Sequence, residues 1–223
     1  MTKKILIVVA HPDDEILGAG GTLIKQAELG QEINCLILSA GVMARSDGTG
    51  AKISALREET QAAGKIIGFK NTYFADLPDN SFDTVSLLNI VKEVEKIIDE
   101  IKPDIIYTHY QNDLNIDHRL TFQAVLTACR PININSPREL YSFENPSSTE
   151  WQSKAGEQFA PNVYVDITDT IDQKILALAE YVSEIRDYPH PRSSTGLKIL
   201  AQYRGLEAGL KFAEAFYLIR KVD

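Results

Sequence analysis

Cysteine is nearly absent, with Cys35 and Cys129 the two in 223 residues and no CxxC pair between them. That excludes a disulfide framework and suits buried thiols in a reducing compartment, so the cytoplasm is the expected location. Long apolar runs are missing too. Lys3 and Lys4 ahead of Ile5-Leu6-Ile7-Val8-Val9 briefly resemble a secretion signal, but the run stops at Ala10 and charges follow at once. It is too short for a signal core or a bilayer span, so no membrane insertion is expected. Positive charge is in deficit: 23 Lys and Arg face 31 Asp and Glu, a formal net charge of -8. This balance argues against nucleic acid or an anionic membrane as the main partner. No internal repeat, low-complexity tract or linker interrupts the chain. Residues 1–223 are therefore expected to form one domain around one core, with a homo-oligomer left open.

What is present is an alternation of apolar runs with helix-length amphipathic segments. Ile5–Val9, Ile33–Leu38, Thr72–Ala75 and Ile105–Thr108 read as strands. Residues 16–29, 51–67, 84–101 and 120–129 read as the helices between and after them. This order predicts an α/β fold with a mostly parallel sheet. Past Arg130-Pro131 the alternation breaks. Glu139–Phe143 and Asn162–Ile167 read as extra strands outside the parallel core. A helix from Thr168 or Asp169 to about Arg186, another from Ser194 to about Phe212, and a closing strand Ala215–Ile219 complete the C-terminal half. Gly18, Gly20 and Gly21 lack the GxGxxG spacing and follow an acidic loop that would repel a pyrophosphate. Close packing of helix on sheet is their expected role.

The first strand runs into Ala10-His11-Pro12-Asp13-Asp14-Glu15. In an open α/β sheet, ligands bind outside the carboxyl ends of the strands. An imidazole and two adjacent carboxylates there suit a divalent cation such as zinc, with one carboxylate spare to deprotonate water. Pro12 holds His11 extended. The competing reading makes Asp13 or Asp14 merely the cap of the next helix. The fourth strand runs into a second polar stretch, His109 to Arg119, which places His118 in the first turn of a helix at the same edge. A His and an Asp from one strand end and a distant His from another make a three-ligand site with an open position. His109 could instead only bond backbone, as buried strand-end histidines often do. Asp187-Tyr188-Pro189-His190-Pro191-Arg192-Ser193 is a third cluster, readable either as a presenting turn or as a plain interhelix linker. Arg57-Glu58-Glu59 is either a solvated charge run or a site contact. The 42–50 loop is polar and glycine-containing and could cover the site, but the sequence does not decide whether it is a lid.

These motifs together resemble the PIG-L/LmbE-like family of zinc-dependent N-acetylglucosaminyl deacetylases. The resemblance rests on the AHPDDE stretch, Arg57-Glu58-Glu59-Thr60-Gln61-Ala62-Ala63, Leu77-Pro78-Asp79 and Asp117-His118-Arg119, with Glu214-Ala215-Phe216 as a later echo. It covers residues 3 to 130. It implies a Rossmann-like three-layer sandwich with a mostly parallel central sheet. It also implies one Zn2+ per chain on His11, Asp14 and His118, Asp13 as general base, and a small amino-sugar substrate losing its N-acetyl group. Asn115 and His190 are further candidate catalytic residues, and Arg57, Asp79, His109 and Arg192 candidate substrate contacts. One position departs from the family: many members carry a histidine where this chain has Asn115. An amide can support an oxyanion, and losing such a donor typically costs ~10²–10³ in rate. It cannot protonate a leaving amine, a task then left to Asp13, His109 or His190. Two alternatives remain: an amidase acting on a larger amide or thiol conjugate at the same metal site, and a non-catalytic sugar-nucleotide-binding protein.

Overall fold

Ile5 to Val9 have no solvent exposure at all in the computed structural model, as expected of a strand covered on both faces. They belong to β1 (Lys4–Val9), near the middle of a seven-stranded sheet. The structure describes residues 2–39, 50–132 and 136–223. β1 pairs in parallel with β2 (Glu32–Ser39) on one side and β4 (Ile105–His109) on the other. β3 (Phe69–Leu77) extends the β2 side, also in parallel. Beyond β4 lie β5 (Glu139–Phe143), β7 (Ala213–Lys221) and β6 (Val163–Asp166), giving the order β3-β2-β1-β4-β5-β7-β6. The chain steps outward from β1 to β3, then returns to the far side of β1. The crevice between the carboxyl ends of β1 and β4 is thus the topological switch point, where such sheets bind ligands.

Side chains alternate across β1 and feed two cores. Ile5, Ile7 and Val9 pack with residues of α1 (Asp14–Glu28), α2 (Gly50–Ile67) and α5 (Ile171–Ala179), joined by Leu197 of α6 (Ser194–Ala208). Leu6 and Val8 pack with α3 (Leu87–Ile101) and α4 (Ile116–Ala128). The result is a three-layer sandwich with a mostly parallel central sheet.

Several expectations are corrected. Glu139–Phe143 is not outside the parallel core: β5 pairs in parallel with β4 from Ile105↔Glu139 to His109↔Phe143. Helix α4 acts as the crossover that brings the chain back in the same direction. β7 is the strand that reverses, pairing antiparallel with both β5 and β6. The helix expected to reach Arg186 ends at Ala179. Tyr181 is fully buried and donates its hydroxyl to Glu15 Oε1 at 2.6 Å, and the chain turns around that anchor. Helix α6 stops at Ala208 because Gly209 takes the left-handed cap at φ 71°. Helix α4 begins at Ile116, since the Asn115 side chain accepts a bond from Asp117 N at 2.8 Å and caps it. The 42–50 loop lies outside the described residues except at Gly50, where α2 starts.

The glycines of α1 serve packing, as expected. A Cβ on Gly18 would sit 2.1 Å from the Phe143 ring of β5. Helix α1 is also clamped by a buried ion pair. Glu214 accepts Gly21 N and Thr22 N at 2.9 and 2.7 Å, and Lys174 Nζ bridges Glu214 and Leu17 O at 2.7 and 2.9 Å. Each of the two buried charges is therefore paired with the other and hydrogen-bonded to backbone of α1.

Candidate metal centre

His11 leaves β1, Asp14 opens α1, and His118 sits in the first turn of α4, so three separate elements deliver one cluster. His11 Nδ1, Asp14 Oδ2 and His118 Nε2 lie 3.2, 3.3 and 3.3 Å from one another. Zinc–ligand bonds of about 2.0–2.1 Å in tetrahedral geometry require donors about 3.3 Å apart. The residues fit a small divalent cation with two nitrogen and one oxygen ligand. Tetrahedral geometry leaves a fourth position for substrate or water.

Each of the three side chains is aimed by a partner on its other side. His118 Nδ1 meets Asp113 Oδ1 at 3.0 Å, and His11 Nε2 meets Asp117 Oδ2 at 3.2 Å. Asn145 Nδ2 donates to Asp14 Oδ1 at 2.7 Å. Carboxylates behind metal-binding imidazoles fix the tautomer and raise ligand basicity. Asp113 is itself held by the hydroxyls of Ser148 and Thr149 and by Asn115 N. Asp117 also accepts Phe82 N at 2.9 Å. Asp113, Asp117, Asn145, Ser148 and Thr149 were not among the candidates drawn from sequence. Asp113 and Asp117 sit inside the second polar stretch, so acidic residues flanking a candidate ligand were the available signal. Asn145 had none, because its role depends on β5 lying beside β4.

The charges follow this geometry. Burial pulls the His11 imidazole down, but the bonded Asp117 and Asp14 overcome this and raise it to about 10. Burial alone would raise Asp14, yet the facing His118 holds it well below the usual carboxylate range. Burial likewise opposes ionisation of Asp113, but its bond to His118 brings it down to about 2.

Asp13 stands apart from its neighbour. It occupies the cap position of α1 at φ 92°, a left-handed conformation unusual for a non-glycine residue, and its side chain makes no capping bond. The plain capping reading therefore does not describe it. Its Oδ2 instead receives Arg192 Nη1 at 2.9 Å. Burial lifts the Asp13 carboxyl to about 7, with Arg192 pulling it down and Asp14 and Glu184 adding to the rise. A buried carboxyl poised near neutrality beside a metal-type cluster can exchange protons with water.

The remaining candidates divide. Asp79 Oδ1 lies 3.4 Å from His11 Nε2, at the cluster's edge. Asn115 turns its amide nitrogen to Asn80 Oδ1 at 3.2 Å, on the turn next to Asp79. His109 is wholly buried. Its Nε2 accepts Ala10 N at 2.9 Å, lies 3.4 Å from Asp14 Oδ2, and its ring stacks on His118 at 3.9 Å. Burial and the nearby His118 lower it to about 4, so it is a neutral ring that bonds backbone and walls the cluster. His190 accepts Arg192 N at 3.1 Å and meets the Trp151 ring edge-on at 5.8 Å. Burial, Arg192 and Arg186 lower its pKa. Arg57 pairs with Asp76 and lies over Phe74 at 4.8 Å, so both of these partners are on β3 and not in the cluster.

Residues 6–129, more than half of the chain, match the PIG-L model, described as GlcNAc-PI de-N-acetylase. The chain belongs to the PIG-L family. As a PIG-L protein it is a hydrolase of the deacetylase kind. Diacetylchitobiose deacetylase of Thermococcus kodakarensis is 28% identical to it over 97% of this chain and 83% of that one. The Escherichia coli deacetylase YaiS is 30% identical over 81% of this chain and 91% of its own. The fold is shared at a TM-score of 0.79 with GalB, the 4-carboxy-2-hydroxymuconate hydratase of Pseudomonas putida, at 22% identity over 100% and 98% of the two chains. No helix among the described residues is long and apolar enough to cross a membrane.

Proposed function

We propose that this PIG-L protein removes the N-acetyl group from an N-acetylated amino sugar or sugar conjugate, and that residues 1–223 act as one domain. The observation that carries the reading is Asp13, buried, held by Arg192, and next in sequence to one corner of the His11–Asp14–His118 cluster. Zn2+ is the expected occupant, and it would polarise the acetamide carbonyl and acidify nearby water. Asp13 takes a proton from the attacking water as the new C–O bond forms. The same carboxyl then returns that proton to the nitrogen as the C–N bond breaks, giving acetate and a free amine. His109 supports this assignment indirectly: its Nε2 is occupied as an acceptor and its ring is neutral. His190, lowered in pKa and packed on Trp151, is also poorly suited to donate. Asn115, with one amide hydrogen uncommitted to Asn80, is our candidate to steady the developing oxyanion, and Asp79 and Arg192 our candidates to orient the substrate.

Acetate release from a panel of N-acetylglucosamine conjugates, with stripped and zinc-reloaded protein, tests the reading. Release from no member of the panel by zinc-loaded protein would overturn it. The fold shared with GalB raises a second reading, addition of water to a carbon–carbon double bond. An unsaturated dicarboxylate hydrated at a rate that no acetylated sugar matches would favour it.

A further inference from the structure

The chain has a single tryptophan, Trp151, and it is 53% exposed. Single exposed aromatics are common and need no explanation. This one is held rather than dangling. It ends a short 3-10 turn, Thr149–Trp151, on a segment whose other members support the metal centre. Asn145 holds Asp14, while Ser148 and Thr149 hold Asp113. Across from it stands the His190 ring, nearly perpendicular to the indole at 5.8 Å between centroids, and its Nδ1 accepts Arg192 N. Arg192 in turn spans from Ser147 Oγ at 2.8 Å to Asp13 Oδ2 at 2.9 Å. Two loops, 145–151 and 188–192, are thus riveted together, with Asp13 at the inner end of the joint and Trp151 at the outer end. Tyr188, 62% exposed, lies in the second of these loops.

We infer that Trp151, steadied by His190, is a stacking platform for a second sugar ring, the one next to the ring that loses its acetyl group. The chemistry is that of a pyranose face: its axial C–H bonds form an apolar surface that an indole covers, while its rim hydroxyls stay in water. Glu150 and Gln152 flank Trp151 in sequence, and Asp187 precedes Tyr188, as polar groups for those hydroxyls. The inference rests on the deacetylase reading for the identity of the first ring, and it narrows the substrate class to sugars of two rings or more.

A single tryptophan makes the test direct. Emission is followed in zinc-loaded Asp13→Asn protein, which should bind without consuming substrate, as N,N'-diacetylchitobiose or N-acetylglucosamine is added. The expected result is a saturable blue shift with the disaccharide and little change with the single ring. In protein with native Asp13, Trp151→Ala should lower kcat/KM about three- to ten-fold more for the disaccharide than for the monosaccharide, through KM. Trp151→Phe should restore most of that loss. An emission spectrum that stays put up to the solubility limit of the disaccharide overturns the platform, whether or not acetate appears. Equal losses on one and two rings overturn it as well. A blue shift in the Asp13→Asn protein, with no acetate released by zinc-loaded protein that keeps Asp13, supports the platform and overturns the deacetylase reading, so the two fail separately.

Discussion

Asp13 and Arg192 stand 179 residues apart in the chain and 2.9 Å apart in the fold. The pair joins the loop after the first strand to the loop before the last helix. It leaves a buried carboxylate with one cationic partner and a pKa near 7. Glu184 Oε2 lies 3.4 Å from the same guanidinium nitrogen, so Arg192 is shared between two acids.

If Asp13 is the base, Asp13→Asn should keep its zinc and lose turnover by roughly 10²–10⁴. Metal content by atomic spectroscopy and acetate release by a coupled assay measure the two separately. Turnover within a few-fold of the native protein would remove Asp13 from the role.

Arg192 sets where that base works. A general base acts only when deprotonated, so kcat/KM should rise with pH through the Asp13 pKa. The positive charge of Arg192 lowers that pKa, and removing it raises the pKa. Arg192→Gln should therefore move the ascending limb to higher pH. A limb that moves down, or stays, would mean that Asp13 does not govern it.

Asp117→Asn and Asp113→Asn should each weaken zinc binding by ~10–100-fold. The first removes a carboxylate 3.2 Å behind His11 and the second one 3.0 Å behind His118. Competition with a fluorescent chelator gives the affinities. Unchanged affinity in both would mean that the imidazoles are held without them.

Gly18→Ala places a methyl group 2.1 Å from the Phe143 ring. Overpacking of this kind typically costs ~1–3 kcal/mol, and α1 carries Asp14 at its start. The urea midpoint should fall with the m-value unchanged. Adding Phe143→Leu should recover part of the loss, because the smaller side chain can retreat. If the midpoint holds in Gly18→Ala, α1 and β5 are less tightly apposed than the structure shows.

Much of this protein is legible in its sequence, because the signals are local. Apolar runs of four to six residues spaced by helix-length segments specify a parallel α/β sheet. A His and two Asp directly after the first run, with a second His at the start of a later helix, specify where the chemistry sits. Strand direction and long-range pairing are not local quantities. Glu139–Phe143 reads as a strand either way up, and only its place beside β4 makes it parallel. The partners that aim the cluster divide on the same line. Asp113 and Asp117 lie within a few residues of His118, and their position hinted at a role. Asn145 and Arg192 lie 131 and 179 residues from the carboxylates they bind. No pattern in the chain links such distant positions, because what joins them is the strand order β1-β4-β5, which turns separate loops toward one crevice. Sequence alone determined which groups could bind a metal and move a proton. Tertiary structure decided which of the two adjacent aspartates turns into the cluster and which turns to Arg192, since each carboxylate follows the partner that packing brings within reach.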